Sequence, residues 1–251
     1  MAFRSKQSRL VLFLLLVILP LLIVVATIWL VNRSDDSQPQ QPSISSTDDT
    51  PESFNKAKYS LTDPTSLWVI ANKNHPLPSD YAPTDLVDVS MDKRLDKSIS
   101  ELKLRLEAAT SLQQLNEAAK ADGINFQLGS GYRSYELQEF YYTNYVRNSG
   151  QAEADRFSAM PGKSEHQTGL AADLGRIDGK CYLETCFAET PEGQWLANNA
   201  YTYGFIIRYP EGKETITGYQ YEPWHVRYVG AELAEQIYSS GQTMEEFSST
   251  N

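Results

Sequence analysis

The sequence predicts an α+β domain: a small antiparallel sheet with helices packed to one side, preceded by one N-terminal transmembrane helix. Helix and strand patterns follow one another irregularly along residues 59–240, which argues against the regular alternation of a parallel α/β fold. A run of 22 residues without a charge, residues 10–31, is long enough to cross a bilayer as one helix.

The N-terminal part divides into three segments. Residues 1–9 carry three positive charges and no negative ones, so the anchor at 10–32 should leave the N-terminus in the cytoplasm and the rest outside. A cleaved signal peptide is the alternative, but its apolar region would span roughly 7–15 residues and end in a small-x-small site. Residues 33–58 are polar and rich in Ser, Pro, Gln and Asp, which predicts a disordered linker. The folded domain is then expected at 59–240, with a tail at 241–251.

Charge and cysteine content restrict the partners of this domain. The net charge is −10, and removing the +3 of the first nine residues leaves −13 for the rest. Such acidity argues against nucleic acid or an anionic lipid surface as a partner. Cys181 and Cys186 are expected to form a structural disulfide outside the cytoplasm. A metal site at this pair is the weaker alternative, because no second Cys or His pair lies nearby.

The first half of the domain predicts a strand, a helix and a second strand. "SLWVI", residues 66–70, is an apolar strand followed by a Pro-rich irregular segment. From Asp92 to Lys120 apolar residues recur at spacings of three and four, as on one face of a helix. These positions are Leu95, Ile99, Leu102, Leu106, Ala109, Leu112 and Leu115. "INFQLGS", residues 124–130, alternates apolar side chains as a half-buried strand does.

The second half predicts three helices and three strands. Ser134 can cap a helix over "ELQEFYYTNYVRN", and residues 149–165 are expected to form a loop. "GLAADLG" predicts a short strand. "TPEGQWLANNAYTYG" has Thr at the N-cap, Pro at the first helical position and Gly at its end, which is a helix signature. "FIIRYP" and "ITGYQYEPWHVRYVG" predict two further strands, and a last helix is expected at 231–238.

Two segments contain the residues that predict chemistry. "SEHQTGLAADLG" contains His166 and Asp173 among small and apolar residues, and "YEPWHVRY" contains His225 three residues after Glu222. A buried carboxylate is costly unless a cation or a metal meets it. Two imidazoles and a carboxylate suit Zn²⁺ and leave a fourth position for water. Glu222, which would not be a ligand, is then placed to act as general base.

The residues alone leave other assignments open. Asp173 could pair with Arg133 or Arg176, and Glu165 could replace Asp173 as a ligand. A bend in the backbone is needed before Glu222 can face the same site as a ligand three residues later, and spacing does not show that bend. The third histidine, His75, has no carboxylate partner in view and is interpreted as structural.

The two segments together resemble a known family. The run S-x-H-x-x-G-x-A-x-D at residues 164–173, followed by E-P-W-H at 222–225, resembles the VanY-type D-alanyl-D-alanine carboxypeptidases. These belong to a group of zinc peptidases that includes lysostaphin-like enzymes and the hedgehog signalling domain. "NKNHPLPSDYAPTDLV", "SGYRSYELQ" and "YGFIIRYPEGKETITGYQYEPWHVRYVG" are also similar to family segments, in family order. The resemblance spans residues 67–238.

The resemblance implies roles for seven side chains. It implies that zinc is bound by His166, Asp173 and His225, and that Glu222 is the catalytic base. It also implies that Arg133, Gln138 and Ser164 contact the substrate. A guanidinium suits either a terminal carboxylate or a developing oxyanion. Arg208 is a further candidate for the cleft, with a buried ion pair as its alternative.

The function implied is that of a membrane-anchored, extracytoplasmic zinc carboxypeptidase that trims the terminal D-Ala from peptidoglycan stem peptides. An L,D-carboxypeptidase acting on tetrapeptide stems is one alternative. An endopeptidase of cross-links would need a cleft open at both ends. A non-catalytic, zinc-containing wall-binding domain is the alternative from another class, because hedgehog domains show that the scaffold permits it.

Overall fold

The computed structural model describes residues 54–249. The predicted cytoplasmic tail at 1–9, the anchor at 10–32 and most of the linker at 33–58 lie outside these residues. Between Phe54 and Ser249, no helix is both long and apolar enough to span a membrane.

Helices and strands follow one another in an irregular order. The strands of the described region are β1 Leu86–Asp88, β2 Asp92–Lys93, β3 Lys103–Arg105, β4 Phe126–Ser130, β5 Ala171–Arg176, β6 Phe205–Tyr209 and β7 Glu222–Tyr228. Its α-helices are α1 Leu106–Ala121, α2 Tyr135–Ser149, α3 Gln151–Phe157, α4 Pro191–Asn199, α5 Glu214–Thr217, α6 Ala231–Ser240 and α7 Met244–Ser249. The predicted α+β class is confirmed.

The main sheet has five strands in the order β2-β4-β5-β7-β6, and β1 pairs with β3 in a separate two-stranded sheet. All neighbours in the main sheet are antiparallel except β2 and β4, which are parallel. The sheet is therefore mixed, and the expectation of an antiparallel sheet is corrected at this edge. A parallel pair needs a long crossover, which here includes β3 and α1.

The long helix begins later than its apolar pattern predicts. Leu95 is 99% exposed and Ile99 is 74% exposed, so neither belongs to the core. Residues 103–105 pair with β1 instead, and the Arg105 amide donates a hydrogen bond of 2.9 Å to the Gly169 carbonyl. The helix begins at Leu106, which is itself 57% exposed, and its buried face follows the prediction from Ala109 onward. The apolar residues of its buried face are Ala108, Ala109, Leu112, Leu115 and Ala119.

The segment "SLWVI" is buried as predicted but is not a strand. Trp68 is 1% exposed, and its indole N–H donates to the Val229 carbonyl. The carbonyls of Leu67 and Val69 both accept hydrogen bonds of 2.9 Å from Arg227 Nη2. A guanidinium therefore takes the place of a neighbouring strand in satisfying this backbone.

Packing extends beyond the expected limits of the domain at both ends. Phe54 stacks on Trp68, with ring centroids 5.5 Å apart, so the packed chain includes residues ahead of Tyr59. The expected tail at 241–251 contains α7, in which Met244 is buried. The expected loop at 149–165 contains α3, which packs against α2. The local sequence lacks the apolar stripe that would have marked α3 as a helix.

Candidate active site

His166 and Asp173 come together because a 3-10 turn leads into β5. The turn covers Glu165–Thr168 and ends at Gly169, whose φ of 69° lies in the left-handed region that favours glycine. The chain then enters β5, the central strand of the sheet. His166 Nε2 lies 3.2 Å from Asp173 Oδ2.

Strand pairing places the other two functional segments beside Asp173. Asp173 is opposite His225 on β7 and opposite Ser130 on β4. His225 Nδ1 lies 3.0 Å from Asp173 Oδ1. β4 ends at Ser130, and the loop that follows it leads directly to Arg133. Three adjacent strands therefore bring the S-x-H segment, the E-P-W-H segment and the arginine loop together around Asp173.

The bend that Glu222 requires is a bulge in β7. Glu222 pairs with Tyr209 and Val226 pairs with Ile207, so β7 contains more residues than β6 between these two pairs. A bulge of this kind redirects side chains that would otherwise point to opposite faces. As a result Glu222 Oε2 lies 3.7 Å from His225 Nδ1.

His166, Asp173 and His225 form a buried cluster whose possible ligand atoms all lie within 4.8 Å of one another. Asp173 is not paired with either arginine considered from the sequence. Arg176 instead contacts Asp178 and Glu192. A second cluster, Cys181, Glu184 and Cys186, is more exposed, and its two cysteines are joined in a disulfide.

The hydrogen bonds of the two imidazoles fit a metal ion. His166 Nδ1 lies 2.6 Å from the Gly131 carbonyl oxygen, which can only accept, so Nδ1 carries the proton and Nε2 faces Asp173 with its lone pair. His225 directs Nδ1 at the same carboxylate. Two ring nitrogens and a carboxylate oxygen thus converge, which is a donor set that suits Zn²⁺.

Burial and charge set the protonation of this cluster. Burial alone would raise the pKa of Asp173, but the facing imidazoles hold it well below its usual range. Burial lowers the pKa of His166. Burial also acts to lower the pKa of His225, but the facing carboxylates of Asp173 and Glu165 outweigh it and raise the pKa to about 9. Metal ligands must be deprotonated, so zinc binding has to displace the proton from His225.

Glu222 has the environment of a general base. Its side chain is 13% exposed, and burial raises its pKa to about 7, with the Asp173 charge adding to the effect and His225 opposing it. A carboxylate with a pKa near neutrality can both take up and release a proton at physiological pH.

Arg133 is held in the cleft by three groups. Its backbone N–H donates to the His166 carbonyl at 3.1 Å, Nη1 donates to Gln138 Oε1 at 2.9 Å, and Nη2 donates to Ser130 Oγ at 2.9 Å. The buried Nε–H has no hydrogen-bond partner among the described residues. The guanidinium is therefore fixed in orientation at the wall of the cavity.

Gln138 and Ser164 complete the group implied by the resemblance. The Gln138 amide accepts from Arg133 and donates to the Ala159 carbonyl at 2.7 Å, so the structure uses it to brace the arginine. Ser164 is buried at the start of the 3-10 turn. All seven side chains line one cavity of about 450 Å³. Its wall includes Leu183 from the disulfide loop, with a φ of 54°.

Glu165, Arg208 and Arg227 pack behind this site, and only Arg227 was not assigned a role from the sequence. Arg208 and Arg227 are fully buried and both contact Glu165. The alternative of a buried ion pair for Arg208 is confirmed. Each arginine interrupts an apolar strand pattern, in "FIIRYP" and in "WHVRY", and this interruption is the signal that could have identified Arg227 as well.

Comparison with known proteins gives consistent matches. Residues 101–231 match the family model of VanY, described as D-alanyl-D-alanine carboxypeptidase. The chain is 42% identical over 187 residues to the putative carboxypeptidase YodJ of Bacillus subtilis, covering 74% of this chain and 68% of that one. It is 38% identical over 191 residues to a D-alanyl-D-alanine carboxypeptidase of Enterococcus faecalis, covering 72% of this chain and 65% of that one.

Solved structures of similar fold include enzymes of two specificities. The LD-carboxypeptidase LdcB has a TM-score of 0.70 at 42% identity, covering 73% of this chain and 86% of that chain. A mutant of the vancomycin-resistance D,D-pentapeptidase VanY, in complex with Zn(II), has a TM-score of 0.57 at 34% identity, covering 71% of this chain and 97% of that chain.

Proposed function

This chain belongs to the VanY family of D-alanyl-D-alanine carboxypeptidases and is a hydrolase, and we propose that it removes the terminal D-Ala from peptidoglycan stem peptides that end in D-Ala-D-Ala. The observation that carries the proposal is the convergence of a histidine–aspartate–histidine cluster, a carboxylate with raised pKa and a fixed arginine in one cavity of about 450 Å³. The size suits the end of a peptide.

The metal in this proposal is zinc, held by His166, Asp173 and His225. When bound, it polarises the scissile carbonyl and lowers the pKa of a water molecule, so that hydroxide becomes available near neutral pH. The protein contributes the orientation of the ligands. The Gly131 carbonyl fixes the proton on His166 Nδ1, and the pairing of β5 with β7 fixes His225 against Asp173.

Glu222 acts as the proton carrier in the proposed reaction. It takes a proton from the attacking water and delivers a proton to the departing D-alanine amine. Its position near His225 places it at the edge of the metal site without a contact short enough for a shared ligand role. Its raised pKa matches both directions of transfer.

Arg133 recognises the end of the substrate in this proposal. Its guanidinium group, which lines the cavity, can bind the terminal carboxylate or the oxyanion that develops on the scissile carbonyl. Ser164 contacts the substrate at the edge of the same cavity. Gln138 supports Arg133 through its side-chain amide. Binding of the terminal carboxylate by Arg133 would favour an exopeptidase over a cross-link endopeptidase.

A second candidate is L,D-carboxypeptidase activity on tetrapeptide stems. It is supported by the similarity to LdcB, whose TM-score of 0.70 exceeds the 0.57 of the D,D-pentapeptidase. The family model and the Enterococcus faecalis relative support the D,D reaction.

Product masses from matched stem peptides test the proposal. The detergent-solubilised full chain, loaded with zinc, should release one alanine from a pentapeptide ending in D-Ala-D-Ala and leave the tetrapeptide intact. A chelator should stop the release, and added zinc should restore it. Cleavage of the tetrapeptide alone would replace the proposal with the L,D reaction. Cleavage of neither would favour a wall-binding domain.

We also propose that residues 10–32 anchor the chain in the cytoplasmic membrane, with 59–240 outside. The apolar run and the basic residues before it support this topology. After cell fractionation the chain should stay in the membrane pellet through a high-pH carbonate wash, and external protease should degrade it in spheroplasts. Release of the chain into the culture medium would instead indicate a cleaved signal peptide.

A further inference from the structure

A buried ion cluster lies behind His225, at the ring nitrogen that does not face Asp173. Glu165, Arg208 and Arg227 each have 0% side-chain exposure. Glu165 Oε1 accepts hydrogen bonds of 2.8 Å from Arg208 Nε and from Arg227 Nη1. Three charges that are fully withdrawn from water need a compensating arrangement, and here each arginine contributes a bond to the same oxygen.

The second carboxylate oxygen of Glu165 points toward the imidazole of His225 but is too far away for a hydrogen bond. Glu165 Oε2 lies 3.9 Å from His225 Nε2. Both atoms are buried, and neither has a hydrogen-bond partner among the described residues. A buried carboxylate oxygen and a buried imidazole nitrogen, each unsatisfied and turned toward the other, form a complementary pair once the nitrogen carries a proton.

We propose that Glu165 is a positioning residue for the zinc site: its Oε2 accepts a hydrogen bond from His225 Nε2–H and thereby presents Nδ1 to the metal. The inference rests on the proposed zinc ligands. An imidazole that binds a metal through Nδ1 carries its proton on Nε2, and a carboxylate on that proton fixes the tautomer and the ring orientation. Glu165 thus takes a role other than the ligand role left open by the sequence.

The two arginines keep Glu165 from moving. Arg208 also makes two bonds to Glu245 on α7, of 2.9 Å and 2.6 Å, and Arg227 also binds the carbonyls of Leu67 and Val69. Their guanidinium groups are therefore also fixed by partners other than Glu165. The carboxylate is held by two fixed donors at Oε1, which leaves Oε2 to act on His225.

The same short turn thereby serves both imidazoles. It contains His166, which faces the cluster directly, and Glu165, which faces His225 from behind. Glu165 and His166 are adjacent in the chain. The backbone of this one turn therefore positions both the ligand His166 and the carboxylate that supports His225. This arrangement explains why a fully buried glutamate stands directly before His166.

Zinc affinity tests the inference, measured on the full chain in detergent by competition with a chromophoric chelator. Glu165→Gln should raise the Kd for zinc about 10–100-fold, the usual cost of losing an outer-shell partner. Glu165→Asp, which keeps the charge for the arginines but shortens the reach to His225, should also raise the Kd. The matched control Glu245→Gln removes a charge from Arg208 without a change at His225, and should leave the Kd within about threefold.

A second readout separates positioning from general destabilisation. The Co²⁺-substituted chain should show an altered visible spectrum in the Glu165 variants and an unchanged one in Glu245→Gln. Unchanged zinc affinity in a folded Glu165→Asp chain would overturn the inference, as would an equal loss in Glu245→Gln. A wild-type chain that binds zinc but cleaves neither stem peptide would overturn the proposed function and leave this inference standing.

Discussion

Glu222→Gln is expected to lower kcat on the pentapeptide by about 10²–10⁴-fold, the range that a positioned acid–base group contributes. The amide has nearly the same size as the carboxylate but cannot take the proton of the attacking water. Glu222 is outside the cluster of His166, Asp173 and His225, so bound zinc should remain. KM should change little, because the proposed substrate contact is made by Arg133.

Steady-state kinetics and metal content of the same samples measure this expectation. Glu211→Gln is a matched control, because Glu211 is exposed and lies on the chain segment between β6 and β7. The control should retain wild-type kcat and zinc content. Full activity in Glu222→Gln would remove Glu222 from the mechanism, and loss of zinc from that variant would show that it supports the metal instead.

The sequence correctly predicted where α2 and α4 begin, because capping residues next to each helix determine its start. Ser134 accepts a hydrogen bond from the Leu137 amide at the start of α2, as its position predicts. Thr190 accepts one from the Gly193 amide and Pro191 occupies the first position of α4. These caps depend on atoms within a few residues of one another, so the sequence contains nearly all of the information needed.

Predictions failed where a distant group competes for the same backbone. The apolar pattern through Leu95 and Ile99 predicts a helix. In the structure, residues 103–105 instead pair with β1, and the Arg105 amide donates to the Gly169 carbonyl. The segment around Trp68 is apolar enough for a strand, but Arg227 binds its carbonyls. In both places the deciding partner is far away in the chain, so local periodicity does not contain it.

In the candidate site, too, local sequence features were predictable and features that depend on distant partners were not. The residue types and the family resemblance predicted His166, Asp173 and His225 as candidate ligands, because donor chemistry is visible in a sequence, and the structure places the three together. The bulge that turns Glu222 toward His225 and the cluster around Glu165 were not visible, since both arise from pairing between β6 and β7 or from contacts across the core. A sequence therefore identifies candidate ligands more readily than the groups that orient them.

His166→Ala is expected to reduce zinc affinity by more than the roughly 10–100-fold that follows loss of an outer-shell partner, because it removes a proposed ligand itself. Two donors would remain, His225 and Asp173, and the buried Asp173 carboxylate would lose its 3.2 Å contact with an imidazole. Hydrolysis of the stem peptide should fall with the bound metal. Zinc content after gel filtration and activity at saturating zinc measure the two effects.

The chain contains its own control in the third histidine. His75 is exposed, and its Nδ1 contacts only the side chain of Asn72 at 3.1 Å among the described residues. His75→Ala should therefore keep zinc content and activity at the wild-type level. If His75→Ala and His166→Ala lost zinc and activity equally, the cause would be damage to the fold and not the loss of a metal ligand. Zinc retained by a folded His166→Ala chain would refute the assigned ligand set, since strand pairing leaves no other imidazole within reach of Asp173 except His225.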